Sequence, residues 1–73
     1  MSESVYKFIT VGGSSPESWE KAAAAVITEA SKTLKDLRIA VVEEMDVQLD
    51  AGKIIAYRVK LRLSFRYHEK EEA

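Results

Sequence analysis

The sequence predicts an α+β fold, a three-stranded antiparallel sheet in the order β-α-β-β wrapped around one helix. Three observations predict it. Residues 54–67 alternate apolar and basic side chains with a period of two, the pattern of a strand with unlike faces. Residues 19–34 carry apolar side chains at helical spacing. Residues 5–11 are dense in β-branched and aromatic side chains, which suit a strand.

The first strand is expected over residues 5–11, with Tyr6 and Phe8 on one face and Val5, Ile9 and Val11 on the other. Both faces are partly apolar, so both are expected to be covered, one by the helix and one by a neighbouring chain. Gly12, Gly13 and Ser14 read as a flexible connection. Ser15 then reads as a helix N-cap, with Pro16 at the first helical position and Glu17 in the first turn. The helix is expected to run to about Lys35. Trp19, Ala22, Ala23, Val26, Ile27, Ala30 and Leu34 share its apolar face, and Trp19 is expected to pack in the core. Glu17 and Lys21 can pair four residues apart on the solvent side. Ala22 to Ala25 make a thin surface that lets the helix lie close to a sheet.

The second strand is expected over residues 39–49 and the third over residues 54–67. Between them Asp50, Ala51, Gly52 and Lys53 read as a turn, with Gly52 taking positive φ. On the third strand Tyr57, Val59, Leu61, Leu63 and Phe65 fall on one face, and Arg58, Lys60, Arg62, Ser64 and Arg66 on the other. The polar tail from His68 to Ala73 is expected to fray.

The chain of 73 residues reads as one domain, 1–73. A domain this small buries about 60% of the surface its unfolded chain exposes, so it is marginal alone. Disulfides, metals and oligomerisation are the usual remedies. There is no cysteine, which excludes disulfides and thiolate sites. Oligomerisation, or a metal held by oxygen ligands, remains. The net charge of −1 gives no global attraction to nucleic acid or anionic lipid. Neither an apolar signal segment nor a run near the roughly 20 apolar residues of a membrane span is present, so a cytoplasmic location is expected.

The ordered set of short stretches resembles the dodecins, small proteins that assemble into hollow dodecamers and bind flavins. Val5-Tyr6-Lys7 opens the first strand, and Gly13-Ser14-Ser15-Pro16-Glu17-Ser18 is similar to the family's entry to the helix. Residues Ser31 to Leu37 resemble its helix exit. Tyr57-Arg58-Val59-Lys60-Leu61 and Ser64-Phe65-Arg66 resemble its last strand. The resemblance implies a homododecamer that binds a small ligand or ion and is not an enzyme. No nucleophile–base pair, metal triad or cofactor fingerprint in the sequence points to catalysis.

The resemblance also locates a changed ligand site. Flavin-binding members carry an Asp-Trp pair where the second strand begins, and the Trp stacks on the isoalloxazine ring. Here Arg38 and Ile39 stand in those places. A glutamine of the last strand, which addresses the polar edge of the ring, is replaced by Arg58. Arg66 lies where the family keeps an arginine near its ligands, so Ile39, Arg58 and Arg66 are the expected ligand-binding residues. Without the stacking ring, flavin (FMN or riboflavin) is expected to bind weakly or not at all. The pattern resembles a Trp-less branch in which calcium binding is known.

The acidic set Glu43, Glu44, Asp46 and Asp50 supplies the candidate metal ligands. Glu44 and Asp46 alternate on one strand face, so their carboxylates can converge on Ca²⁺, with the remaining oxygens coming from main chain, water or neighbouring subunits. The competing fate is cross-strand pairing, Glu44 with Arg58 or Glu43 with Lys60. The basic row could instead meet the phosphates of a nucleic acid. However, Tyr57, Phe65 and Tyr67 face away from it, whereas nucleic-acid sheets interleave aromatics with basic residues. A small nucleic-acid-interacting domain, and a flavin dodecin of weakened affinity, are the alternatives to a calcium-binding shell. A phosphate on the Gly12–Ser14 backbone, and a catalytic role for the lone His68, are both disfavoured.

Overall fold

The computed structural model describes residues 3–66. Its elements are β1 (Tyr6–Ser15), α1 (Trp19–Ala30), β2 (Leu37–Asp50) and β3 (Lys53–Arg66). They form one antiparallel sheet of order β1-β3-β2, with α1 packed over β1 and β3. The predicted architecture is therefore present. The Tyr67 end of the expected third strand and the tail from His68 lie outside the described residues.

Alternation along β3 divides the sheet into two faces. Val59, Leu61 and Leu63 point at the helix and are buried with Ala22 and Val26 to form the core. Ile9, Val11, Trp19, Ala23, Ala30 and Leu37 pack around it. Arg58, Lys60, Arg62 and Arg66 stay exposed on the outer face, while the small side chain of Ser64 is covered.

Three boundaries differ from the sequence-based expectation by more than two residues. Gly12, Gly13 and Ser14 are not a flexible connection. They continue β1 to Ser15 and pair with Lys60, Val59 and Arg58. The length of β3 provides partners for that extension. A Cβ on Gly13 would run into Cγ2 of Val26 and sit 3.4 Å from the Ala22 carbonyl oxygen. The glycine thus lets the thin alanine face of α1 approach the strand.

The helix start is also displaced. Ser18 is the N-cap, its Oγ accepting from the Lys21 N–H at 3.0 Å. Ser15 Oγ accepts from the Glu17 N–H at 3.0 Å, so Ser15 makes a local turn before the helix, and Pro16 precedes the cap. The Glu17–Lys21 ion pair forms at 2.8 Å.

The helix ends at Ala30, short of Lys35. Ser31 to Thr33 form turns, and the Thr33 and Leu34 N–H groups both donate to the Ala30 carbonyl. Ser31 and Thr33 are weak helix formers, and the chain has to reverse before Leu37. Asp36 makes that reversal at φ 60°, and its carbonyl accepts from the Arg66 N–H at 3.3 Å.

The hairpin turn holds two left-handed residues, Ala51 at φ 51° and Gly52 at φ 77°, between the paired Asp50 and Lys53. Positive φ at both central positions is the signature of a type I′ turn, which matches the twist of the strands it joins. The hairpin leaves Met45, Leu49, Ile54 and Ile55 exposed. The molecule measures 54 × 20 × 14 Å, and its radius of gyration is 15.3 Å. A compact domain of this length would have roughly 11 Å.

Candidate functional site

The outer face of the sheet carries a cleft of about 370 Å³ lined by Gly12, Gly13, Ser14, Glu44, Asp46, Arg58, Val59 and Lys60. Strand register explains its make-up. Gly12, Lys60 and Glu44 form one row across the three strands, and Ser14, Arg58 and Asp46 form the next. Gly12 and Ser14 have little or no side chain, so β1 makes a low wall. The charged side chains of β2 and β3 fill the opposite side.

Carboxylates face cations along the β2–β3 seam. Arg58 grips Asp46 with both prongs, Nε to Oδ1 and Nη2 to Oδ2, each at 2.8 Å. Lys60 Nζ lies 3.5 Å from Glu44 Oε2, and Arg62 Nε lies 3.6 Å from Glu43 Oε2. The pairing expected from the sequence, Glu44 with Arg58 or Glu43 with Lys60, is thus corrected by one step. The cause is the register: an extra residue in β3 at Ile55, between the pairs Leu49–Ile54 and Gln48–Ala56, sets Glu44 opposite Lys60 and Asp46 opposite Arg58, and a second shift between Val42 and Glu44 leaves Glu43 as an extra residue in β2.

The Asp46–Arg58 pair governs the electrostatics of the cleft. The hydrogen bonds from Arg58 hold the Asp46 carboxyl below the ordinary aspartate range, outweighing a desolvation that raises it, and the guanidinium charge lowers it further. The same bonds to Asp46 raise the already high value of Arg58.

Glu44 and Asp46 do lie side by side on one face, as alternation predicts. Each is engaged by a cation of β3, and among the described residues no group of three or more histidine or acidic side chains converges. The chain therefore offers carboxylate and hydroxyl oxygens, the donor chemistry of a hard cation, in a cleft balanced by two positive side chains.

Ile39, Arg58 and Arg66 are not gathered together within one chain. Ile39 pairs with Ser64, two residues from Arg66 and on the same face. Arg58 lies six residues further along β3 from Ser64, a separation of roughly 20 Å at strand spacing. Ile39 is 61% exposed and offers an aliphatic surface where a ring would stack.

Two features escaped the sequence reading. Tyr57 and Phe65 face away from the basic row on β3 as expected, and Tyr67 lies outside the described residues, but β1 brings other aromatics to that row. Tyr6 pairs with Arg66 and Phe8 with Ser64, and the Arg62 guanidinium carbon sits 5.2 Å from the Phe8 ring centroid. The even-numbered residues of both strands share a face, a parity that emerges once the two are paired. The other is Trp19, whose indole packs edge-on to Tyr57 with centroids 5.1 Å apart and donates from Nε1 to the Asp46 carbonyl at 2.9 Å. No sequence signal links these residues.

The dodecin family model matches residues 5–68. The chain belongs to the dodecin family. It is 46% identical over 63 residues to calcium dodecin of Mycobacterium tuberculosis, an alignment that covers 86% of this chain and 89% of that protein. The solved structure of that calcium dodecin, described as a calcium-chelating immunodominant antigen with a novel calcium-binding site, superposes with a TM-score of 0.80 at 41% identity, covering 96% of this chain and 100% of the other. Dodecin from Streptomyces coelicolor superposes with a TM-score of 0.89 at 33% identity and the same coverage, 96% and 100%. No helix of the described residues in this dodecin is long and apolar enough to cross a membrane.

Proposed function

We propose that this dodecin is a non-enzymatic, cytoplasmic storage subunit, one domain over residues 1–73, that closes into a hollow homododecamer and binds Ca²⁺ through Glu44 and Asp46. The observation that carries the metal reading is the placement of these two carboxylates side by side on the outer face, above a low wall at Gly12 and Ser14. The likeness to a calcium dodecin supports it. Two carboxylates are too few for calcium, which takes six to eight oxygens, so the remainder come from main chain, water and neighbouring subunits.

The shape of the chain supports assembly. An extended hairpin with exposed Met45, Leu49, Ile54 and Ile55, and sheet edges at β1 and β2 that pair with no further strand among the described residues, leave much apolar surface and backbone to be covered. A closed oligomer removes both liabilities. Light scattering is expected to give a particle many times the 8.2 kDa of the chain, and a monomer at micromolar concentration would contradict the shell.

The flavin reading takes second place. Ile39 stands where the flavin-binding members place their stacking tryptophan, so riboflavin is expected to bind weakly, through Ile39, Arg66 and an Arg58 supplied by a neighbouring subunit. Ile39→Trp is expected to tighten riboflavin by roughly ten- to a hundredfold, the worth of one aromatic stack. Nucleic acid is disfavoured despite Tyr6 and Phe8, because Arg58, Lys60 and Arg62 each face a carboxylate.

Calorimetry with Ca²⁺ tests the metal site. The unmodified protein should give binding heat that Glu44→Gln with Asp46→Asn removes. Equal heats from both proteins would place calcium elsewhere.

A further inference from the structure

We propose that Arg58 is a built-in competitor for the cation at Asp46, so that metal binding requires release of the guanidinium and Arg58 sets the affinity of the site. This inference rests on the reading of Glu44 and Asp46 as metal ligands and adds a residue that opposes them.

The geometry carries it. Both oxygens of Asp46 accept from Arg58 at 2.8 Å, in the two-pronged arrangement that matches a guanidinium to a carboxylate. A calcium ion that takes Asp46 must break at least one of these bonds. It must also stand close to a positive charge, because Ser14, Arg58 and Asp46 share one row across the sheet. Lys60 is a weaker competitor. It reaches a single oxygen of Glu44 at 3.5 Å through a flexible ammonium stem. The two cations are therefore unequal: Arg58 occupies its partner fully, whereas Lys60 leaves most of the Glu44 carboxylate available.

Release is physically accessible. Both Asp46 and Arg58 are about half exposed, so water can replace the lost hydrogen bonds. Exposed pairs of this kind are held weakly, and Arg58 can swing on its stem into solvent. The arrangement keeps the carboxylate neutralised when calcium is scarce. It also makes the site respond to the competition between one internal cation and an external one.

Calcium titration by calorimetry of the assembled protein, with Arg58→Gln, Lys60→Gln and Glu44→Gln/Asp46→Asn beside it, tests the proposal. Removing a positive charge and its two bonds from a half-exposed ligand is expected to tighten Ca²⁺ roughly tenfold in Arg58→Gln. Lys60→Gln should gain clearly less. Nitrogen-15 NMR of the arginine Nε–H groups gives an independent readout, since the Arg58 signal should shift toward that of a free guanidinium as calcium is added. Unchanged affinity in Arg58→Gln, with heat still abolished in the carboxylate variant, would overturn the role of Arg58 and leave the metal site standing. An equal gain in Lys60→Gln would assign the effect to net charge and overturn it as well. Heat that persists in the carboxylate variant would remove the metal reading and this proposal together. Light scattering on each variant establishes that the assembly is intact.

Discussion

The indole Nε1 of Trp19 donates to the backbone carbonyl of Asp46 at 2.9 Å, tying the first residue of α1 to β2 beneath the Asp46–Arg58 pair. The same ring lies edge-on to Tyr57, whose register partner is Val47. Helix, central strand and outer strand therefore meet at one residue.

Trp19→Phe keeps a ring against Tyr57 and removes the donor. We expect a loss of about 0.5–1.5 kcal/mol, the net worth of a hydrogen bond, read from urea unfolding. An unchanged midpoint would mean that water replaces the indole without cost. Because Trp19 is the single tryptophan, its emission should also respond to a cation bound by Asp46.

Gly13→Ala would drive a methyl group into Val26 and against the Ala22 carbonyl oxygen. Such overpacking costs about 1–3 kcal/mol. In a double-mutant cycle with Val26→Ala, the two substitutions should cost less together than their sum, because each relieves the clash with the other. Strict additivity would show that the helix moves away instead.

Ala51 holds φ 51° in the hairpin turn, a region that suits asparagine better than alanine. Ala51→Asn should raise stability by about 0.5–1 kcal/mol. Ala51→Val should lower it, since a β-branched side chain crowds the left-handed backbone. Thermal melts of the three proteins check the order, and a destabilised Asn variant would contradict the turn assignment.

Asp46 titrates below its ordinary range in the folded protein because Arg58 donates to it. A group whose folded value is depressed adds stability in full above its unfolded value, near pH 4, and loses it as the pH falls through the folded value. The parent should therefore lose more stability than Asp46→Asn on acidification from about pH 5 to about pH 2. Urea unfolding across that range decides, and parallel curves would show that the pair contributes nothing to folding.

Local patterns were enough to read the element types and the two faces of β3. Alternation from Tyr57 to Phe65 specifies which side chains enter the core, because a strand offers two faces and one carries Val59, Leu61 and Leu63 inward. The spacing of Trp19, Ala22, Val26 and Ala30 likewise reveals the packed face of α1. The side-by-side placement of Glu44 and Asp46 follows from the same rule of two.

Other features depend on what lies across from a residue, which no local pattern contains. Gly12 and Gly13 look like a loop, yet β3 is long enough to pair with them and the helix needs the space at Gly13. Ser15 and Ser18 are both suitable caps, and the turn at Ser15 leaves the capping to Ser18. One extra residue in β3 at Ile55 sets Asp46 opposite Arg58 and Glu44 opposite Lys60, and one in β2 at Glu43 leaves that carboxylate to Arg62. The sequence by itself determined which residues face the core and which carry charge, because periodicity is a local property. Only the tertiary structure decided the partners, because register is set by pairing between strands distant in sequence.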